Sequence, residues 1–117
     1  MLRKAWLSEA GVASGMEYNA VNFKNQAAST AYAWKKLNRL EGIEGLQWHN
    51  WFDNRAEGDL RIGLRKYNDK IYMAEPKPVF YTYKNCGTDN EDEYFKKEGY
   101  LKIIGISNWD SIFHQVK

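Results

Sequence analysis

The order of elements in the sequence predicts an α/β fold with parallel strands. Three observations carry the prediction. A short apolar run opens the chain at Lys4–Ser8, a long alanine-rich stretch with helical periodicity follows, and an aromatic-rich run with strand-like alternation comes next, in "EGLQWHNWFDN". A strand, a long helix and a second strand in succession form a βαβ unit, whose strands run parallel. A parallel pair needs helices over its faces and neighbours on its edges, so two strands predict an incomplete sheet.

Each element has a local reason. Gly11 and Gly15 flank a turn-rich loop, "GVASGMEYN". Asn19 is the expected N-cap of the helix in "AVNFKNQAASTAYAWKKLNRLEG", where Phe23, Ala27, Thr30, Ala31, Trp34 and Leu37 share one stripe. Lys24, Lys35, Lys36 and Asn38 lie elsewhere on the cylinder, and Gly42 is the expected C-cap. The second strand is expected near 46–52. Its alternation puts Leu46, Trp48 and Asn50 on one face and Gln47, His49, Trp51 and Asp53 on the other. "LRIGLRKYNDKIYM" predicts a hairpin with its turn at Asn68–Asp69, and "EPKP" stops it. Pro78 opens a helix, "PVFYTYKNC", capped by Gly87. "TDNEDE" is expected to be exposed. The tail carries short apolar pieces, with Asn108 as an N-cap before "WDSIF".

Composition narrows the function classes. The 117 residues make one small domain at most, or part of a larger one. With 17 basic and 15 acidic residues, the net charge of +2 gives no case for a nucleic-acid or anionic membrane partner. A lone Cys86 forbids an internal disulfide. No apolar run approaches the roughly 20 residues of a membrane span, and Met1–Lys4 is not followed by the apolar core of a signal peptide. The compartment stays open. Five Trp and eight Tyr are notable, because such rings form sugar-stacking platforms as well as cores.

Several segments together resemble a known family. "WLSEAG" with its alanine-rich helix, "WHNWFDNRAEGDLRIGLRK", "KPVFYTYKNCGT" and "YLKIIGISNWDSI" resemble, in that order, the C-terminal end of an uncharacterised bacterial (β/α)8-barrel family. That family is a domain of unknown function, similar to the retaining, cellulase-like glycoside hydrolases. The resemblance runs from about Trp6 to Ile112. It implies that residues 1–117 are the last two βα units of a (β/α)8 (TIM) barrel plus a C-terminal tail, a C-terminal fragment of one domain. It also implies a carbohydrate substrate or ligand, no cofactor, and a missing N-terminal part of the same barrel as partner.

In that clan the nucleophile is a glutamate at the end of the seventh strand, and Glu9 matches it. The acid/base glutamate belongs to the fourth strand, which has no counterpart here, so the chain alone is expected to be inactive. Two unpaired strand edges also predict oligomers or loose packing for the isolated chain. Barrel sites form at the C-terminal ends of strands, and a retaining mechanism needs two carboxyl groups about 5–5.5 Å apart. The other reading of Glu9 is a rim carboxylate paired with a cation.

On the eighth strand His49 and Trp51 are expected to face the barrel mouth. His49 would hold Glu9 or donate to a sugar hydroxyl, and Trp51 would stack on a sugar face. Core packing is the alternative for both. Asp53 would bind hydroxyls, pair with Arg55 or Arg61, or cap a loop. Arg61 or Arg65 would contact an acidic sugar, unless the run "RAEGDLRIGLRK" is simply a solvated face. His49, Asp53 and Glu57 recur every four residues, but on a strand and its loop that spacing does not build a metal site. Cys86 at a helix C-terminus is no nucleophile. Three functions compete: part of a retaining glycosidase, a non-catalytic carbohydrate-binding barrel, and a structural piece whose rings are all core.

Overall fold

The computed structural model describes residues 5–15, 17–39, 43–48, 53, 61–67 and 74–114. Strand β1 (Ala5–Ala10) leads through a loop into helix α1 (Ala20–Leu37), which returns the chain to strand β2 (Ile43–Trp48). Further along the chain come α2 (Pro78–Asn85), α3 (Glu91–Lys97), α4 (Tyr100–Ile104) and a closing 3₁₀ turn over Trp109–His114.

β1 and β2 pair in parallel and form a two-stranded sheet among the described residues. The register runs Ala5↔Ile43, Trp6↔Gly45, Leu7↔Leu46, Ala10↔Trp48. From Leu7 to Ala10 β1 takes three steps while β2 takes two. One extra residue therefore bulges from β1 within Ser8–Glu9. Bulges break the alternation of side chains and re-aim them, so simple alternation does not carry through to Glu9. The expected continuation of β2 over 49–52 lies outside the described residues.

α1 forms for the reasons its sequence gives. Asn19 is extended and its Oδ1 accepts from Asn22 N at 2.8 Å. Lys35 and Lys36 occupy the last turn, where cations suit the helix dipole. The helix ends at Leu37 with Asn38 as its cap, earlier than the expected Gly42, which lies outside the described residues. Its buried face is Gln26, Ala27, Ala28, Thr30 and Ala31. The alanines let neighbouring helices approach closely. Ala27, Ala28 and Ala31 form one cluster with Phe95 and Tyr100, edged by Trp34, Cys86, Tyr94, Ile104 and Trp109. The rings meet tilted or edge-on, Phe95 lying 5.5 Å from Tyr100 and 5.9 Å from Trp109. Tyr100 satisfies its hydroxyl with Thr82 Oγ1 at 2.6 Å.

The acidic stretch is exposed as expected at Thr88, Asp89, Asn90, Asp92 and Glu93, and departs from the expectation at one residue. Glu91 is buried, with 9% exposure, and not solvated. Its Oε1 accepts from Trp34 Nε1 and from Gly87 N, and its Oε2 pairs with Lys35 at 2.7 Å. Lys35 also bonds Asp92 and lies over the rings of Phe95 and Trp109. The charges that looked solvated from the sequence thus seam α1 to α3. Gly87 allows this, since φ is +76° there, a left-handed conformation that glycine adopts freely.

The excursion after β2 turns back on itself. Its described arms pair antiparallel, with Lys66 N donating to Glu75 O and Lys77 N to Leu64 O, both at 2.8 Å. The pairing is antiparallel, as in a hairpin, but its second arm is Glu75–Lys77, inside the "EPKP" expected to stop it, so the register differs from one set by a turn at Asn68–Asp69; that expected turn lies outside the described residues. The tail folds into α4 and the 3₁₀ turn. Asn108 Oδ1 accepts from Ser111 N at 3.0 Å, as a capping residue does. No helix of the described residues is long and apolar enough to cross a membrane.

Phe95 is fully buried at the centre of the helical cluster. Phe95→Ala is expected to cost roughly 3–5 kcal/mol of unfolding free energy, and Ser29→Ala on the exposed side of α1 less than about 0.5 kcal/mol. Urea denaturation followed by circular dichroism checks both.

Candidate functional site

The candidate site lies beyond the C-terminal ends of β1 and β2. Parallel pairing brings the ends together, and three segments meet there: the loop after β1, the excursion after β2, and the start of α2. One carbonyl joins them. Arg61 O accepts from Ser14 N (3.1 Å), Ser14 Oγ (3.3 Å), Lys77 Nζ (3.0 Å) and, weakly, Gln26 Nε2 (3.5 Å). Gln26 Nε2 also donates to Val12 O at 2.7 Å, which ties α1 to the loop that follows Glu9. The neighbouring carbonyl, Ile62 O, accepts from Trp48 Nε1 at 2.8 Å and ties the same segment to the end of β2. Arg61 has φ +45°, a left-handed conformation that costs a non-glycine residue roughly 1–2 kcal/mol. These donors outweigh that cost.

Beneath the carbonyl lies a buried ion pair. Lys77 Nζ sits 3.0 and 3.2 Å from the two oxygens of Asp53, and the side chains are 0% and 2% exposed. Asp53 Oδ1 also accepts from Gly63 N at 2.7 Å, and Oδ2 from the Tyr18 hydroxyl at 2.5 Å. Tyr18 Oη in turn accepts from Tyr67 N at 3.0 Å. Burial drives the Lys77 pKa below its ordinary value although Asp53 opposes the shift. The Tyr18 hydroxyl is pushed up to about 12, by burial first and by its bond to Asp53 second.

The predicted site residues fall as follows. Glu9 is the penultimate residue of β1, within the bulged stretch. His49 and Trp51 lie outside the described residues, as do Arg55 and Glu57. Asp53 pairs with Lys77, where Arg55 or Arg61 was expected; its carboxylate is engaged inside the protein and not at a surface. Arg61 stands over the Tyr18 ring, its guanidinium 4.5 Å from the centroid. Arg65 is turned inward, donating to Ala74 O at 2.9 Å and lying over Phe80. Gln47 is exposed, while Trp48 packs 5.9 Å from Tyr83 of α2, so neighbouring residues of β2 do face opposite ways. Sequence reasoning missed Tyr18, Gln26 and Lys77. Nothing in the sequence around any of the three marks it as part of a buried network.

Among the described residues no three His, Cys, Asp or Glu side chains converge as metal ligands do. Cys86 Sγ–H donates to Thr82 O at 3.2 Å. Burial, helped by the charge of Glu91, pushes the thiol up to about 12, so it is a poor nucleophile. A groove of about 580 Å³ runs between α1 and α4, lined by Asn25, Ala28, Ser29, Tyr32, Ile103 and Ile104. None of these belongs to the network at the strand ends.

Two outcomes follow. Lys77→Met leaves the Asp53 charge buried without its cation and is expected to cost roughly 3–5 kcal/mol. Adding Asp53→Asn in the same chain recovers part of that loss, which a double-mutant cycle in urea measures. The folded state also holds the Cys86 proton to about pH 12, whereas an unfolded thiol loses it near 9. Folding stability therefore falls as pH rises from 9 toward 12. Cys86→Ala should flatten that slope between pH 9 and 10, read from urea midpoints.

Neither the curated proteins nor the solved structures contain a match to this chain. A family model does match, over residues 1–112 of the 117, and the chain therefore belongs to the family of unknown function DUF5722.

Proposed function

We propose that this chain supplies the last two βα units of a (β/α)8 barrel of the retaining glycoside hydrolase kind, with Glu9 as the nucleophile. The observation that carries the reading is the position of Glu9. It stands one residue before the end of β1, beside a parallel neighbour, in a stretch where a bulge redirects the chain. Carboxylates at the C-terminal ends of parallel barrel strands are where such chemistry is done. The exposed Gln47 beside the half-buried Trp48 also fits a sheet whose inner face awaits the rest of a barrel.

The chemistry would run in two displacements. A Glu9 carboxylate oxygen attacks the anomeric carbon as the bond to the leaving oxygen breaks. A protonated glutamate, supplied by the fourth strand of the completed barrel, gives its proton to that oxygen. The same residue then takes a proton from water, which attacks the anomeric carbon and releases Glu9. The ionised nucleophile and the protonated acid must lie about 5–5.5 Å apart. His49 and Trp51, directly beyond β2, would bind the sugar. Asp53 would position them by anchoring the excursion. Without the acid and the remaining strands this chain alone is inactive.

In the complete barrel, Glu9→Gln is expected to abolish turnover of an activated aryl glycoside. A fluorosugar inactivator should leave a glycosyl ester on the peptide containing Glu9, seen by mass spectrometry. Undiminished turnover by the variant, or a label on another residue, would remove Glu9 from the role.

A further inference from the structure

We infer that Arg61 recognises the negative charge of an acidic sugar at the rim beside Glu9. The inference rests on reading this rim as a carbohydrate site, and it adds the class of sugar. Four observations lead to it. First, the backbone of Arg61 and Ile62 is fastened to the ends of both strands, through Ser14 on one side and Trp48 on the other. The residue therefore sits at the same end of the sheet as Glu9. Second, its side chain is held and not free, because the guanidinium lies 4.5 Å from the centre of the Tyr18 ring, and Tyr18 is fixed through its hydroxyl.

Third, the guanidinium has no carboxylate partner among the described residues, while the cations around it are engaged. Lys77 holds Asp53, Lys66 holds Glu75 at 2.9 Å, and Arg65 donates to Ala74 O. Among the described residues, the acid of this cluster, Asp53, is already paired with Lys77. Fourth, Tyr18 is 37% exposed, so the ring that orients Arg61 also meets solvent. Phe23 lies 5.5 Å from it, and Lys66 stands over both rings. An oriented guanidinium fork on a partly exposed tyrosine fits a ring that carries hydroxyls and one anionic group. The fork matches a carboxylate or a sulfate ester with two parallel N–H donors.

Glycine gives a clean test, because it adopts φ +45° freely and keeps the carbonyl that Ser14 and Lys77 use. Arg61→Gly therefore removes the charge without removing the clamp. Calorimetric titration of the complete barrel would use three probes: a glucuronate oligosaccharide, the same oligosaccharide with its carboxylates reduced to alcohols, and a sulfated neutral oligosaccharide. An acidic probe should bind about tenfold or more tighter than the reduced one. Preference for glucuronate over the sulfated probe, or the reverse, names the anionic group. Arg61→Gly should lose this preference while its melting temperature holds or rises, and Arg61→Lys should keep only part of it. Equal binding of acidic and neutral probes, no binding of any, or an unchanged preference in Arg61→Gly would overturn the inference. The two readings fail separately. Glu9→Gln should leave the preference intact, and turnover of neutral glycosides by the complete barrel would uphold Glu9 while refuting Arg61.

Discussion

The pairing of Lys77 with Asp53 is the constraint on which the rim of this protein depends. An ammonium and a carboxylate removed from water are tolerable only if their remaining hydrogen-bonding capacity is met. Here it is met by the Tyr18 hydroxyl, Gly63 N and Arg61 O. Each comes from the loop after β1 or the excursion after β2, and Lys77 itself caps α2. Satisfying one buried pair therefore fastens the loop after β1 and the excursion after β2 to the start of α2. The left-handed Arg61 stands in this network, its carbonyl accepting from Ser14 on one side and Lys77 on the other.

A second, apolar constraint works on the other side of α1. Small side chains at Ala27, Ala28 and Ala31 let the later helices close in, and Phe95 and Tyr100 fill the space. Charges finish that contact as well: Glu91 reaches back to Trp34, Lys35 and Gly87. Gln26 on the same helix turns toward the strand ends. α1 thus couples a helical core to the rim, and a change that loosens the core would be felt in the loop that follows Glu9.

Parts of this were legible along the chain. The Asn19 cap, the alanine stripe, Pro78 at the head of α2 and Asn108 as a cap are local signals, and each appears where its residues place it. Other parts were hidden for definite reasons. Glu91 sits in a run of acids that looks solvated, and its burial depends on an indole and an ammonium more than fifty residues away. Lys77 looks like a charge in a breaker, and its partner is Asp53 in another segment. The face of Glu9 could not be read from alternation, because a bulge in β1 resets the count, and bulges leave no fixed residue pattern in a parallel pair.

Sequence by itself determined the order strand, helix, strand, helix, and with it the parallel pairing of β1 and β2. A helix running back along the sheet returns the chain to the end where β1 began, so the next strand runs the same way, as the observed pairing does. It also determined the helix caps and the small-residue face of α1, because caps and periodicity are set within a few residues. Only the tertiary structure decided which charges pair and which carboxylate is buried. Those outcomes depend on desolvation and on distances between segments far apart along the chain. Arg61 and Arg65 show the difference: they belong to one charged run, yet one is aimed at an exposed ring and the other is folded inward.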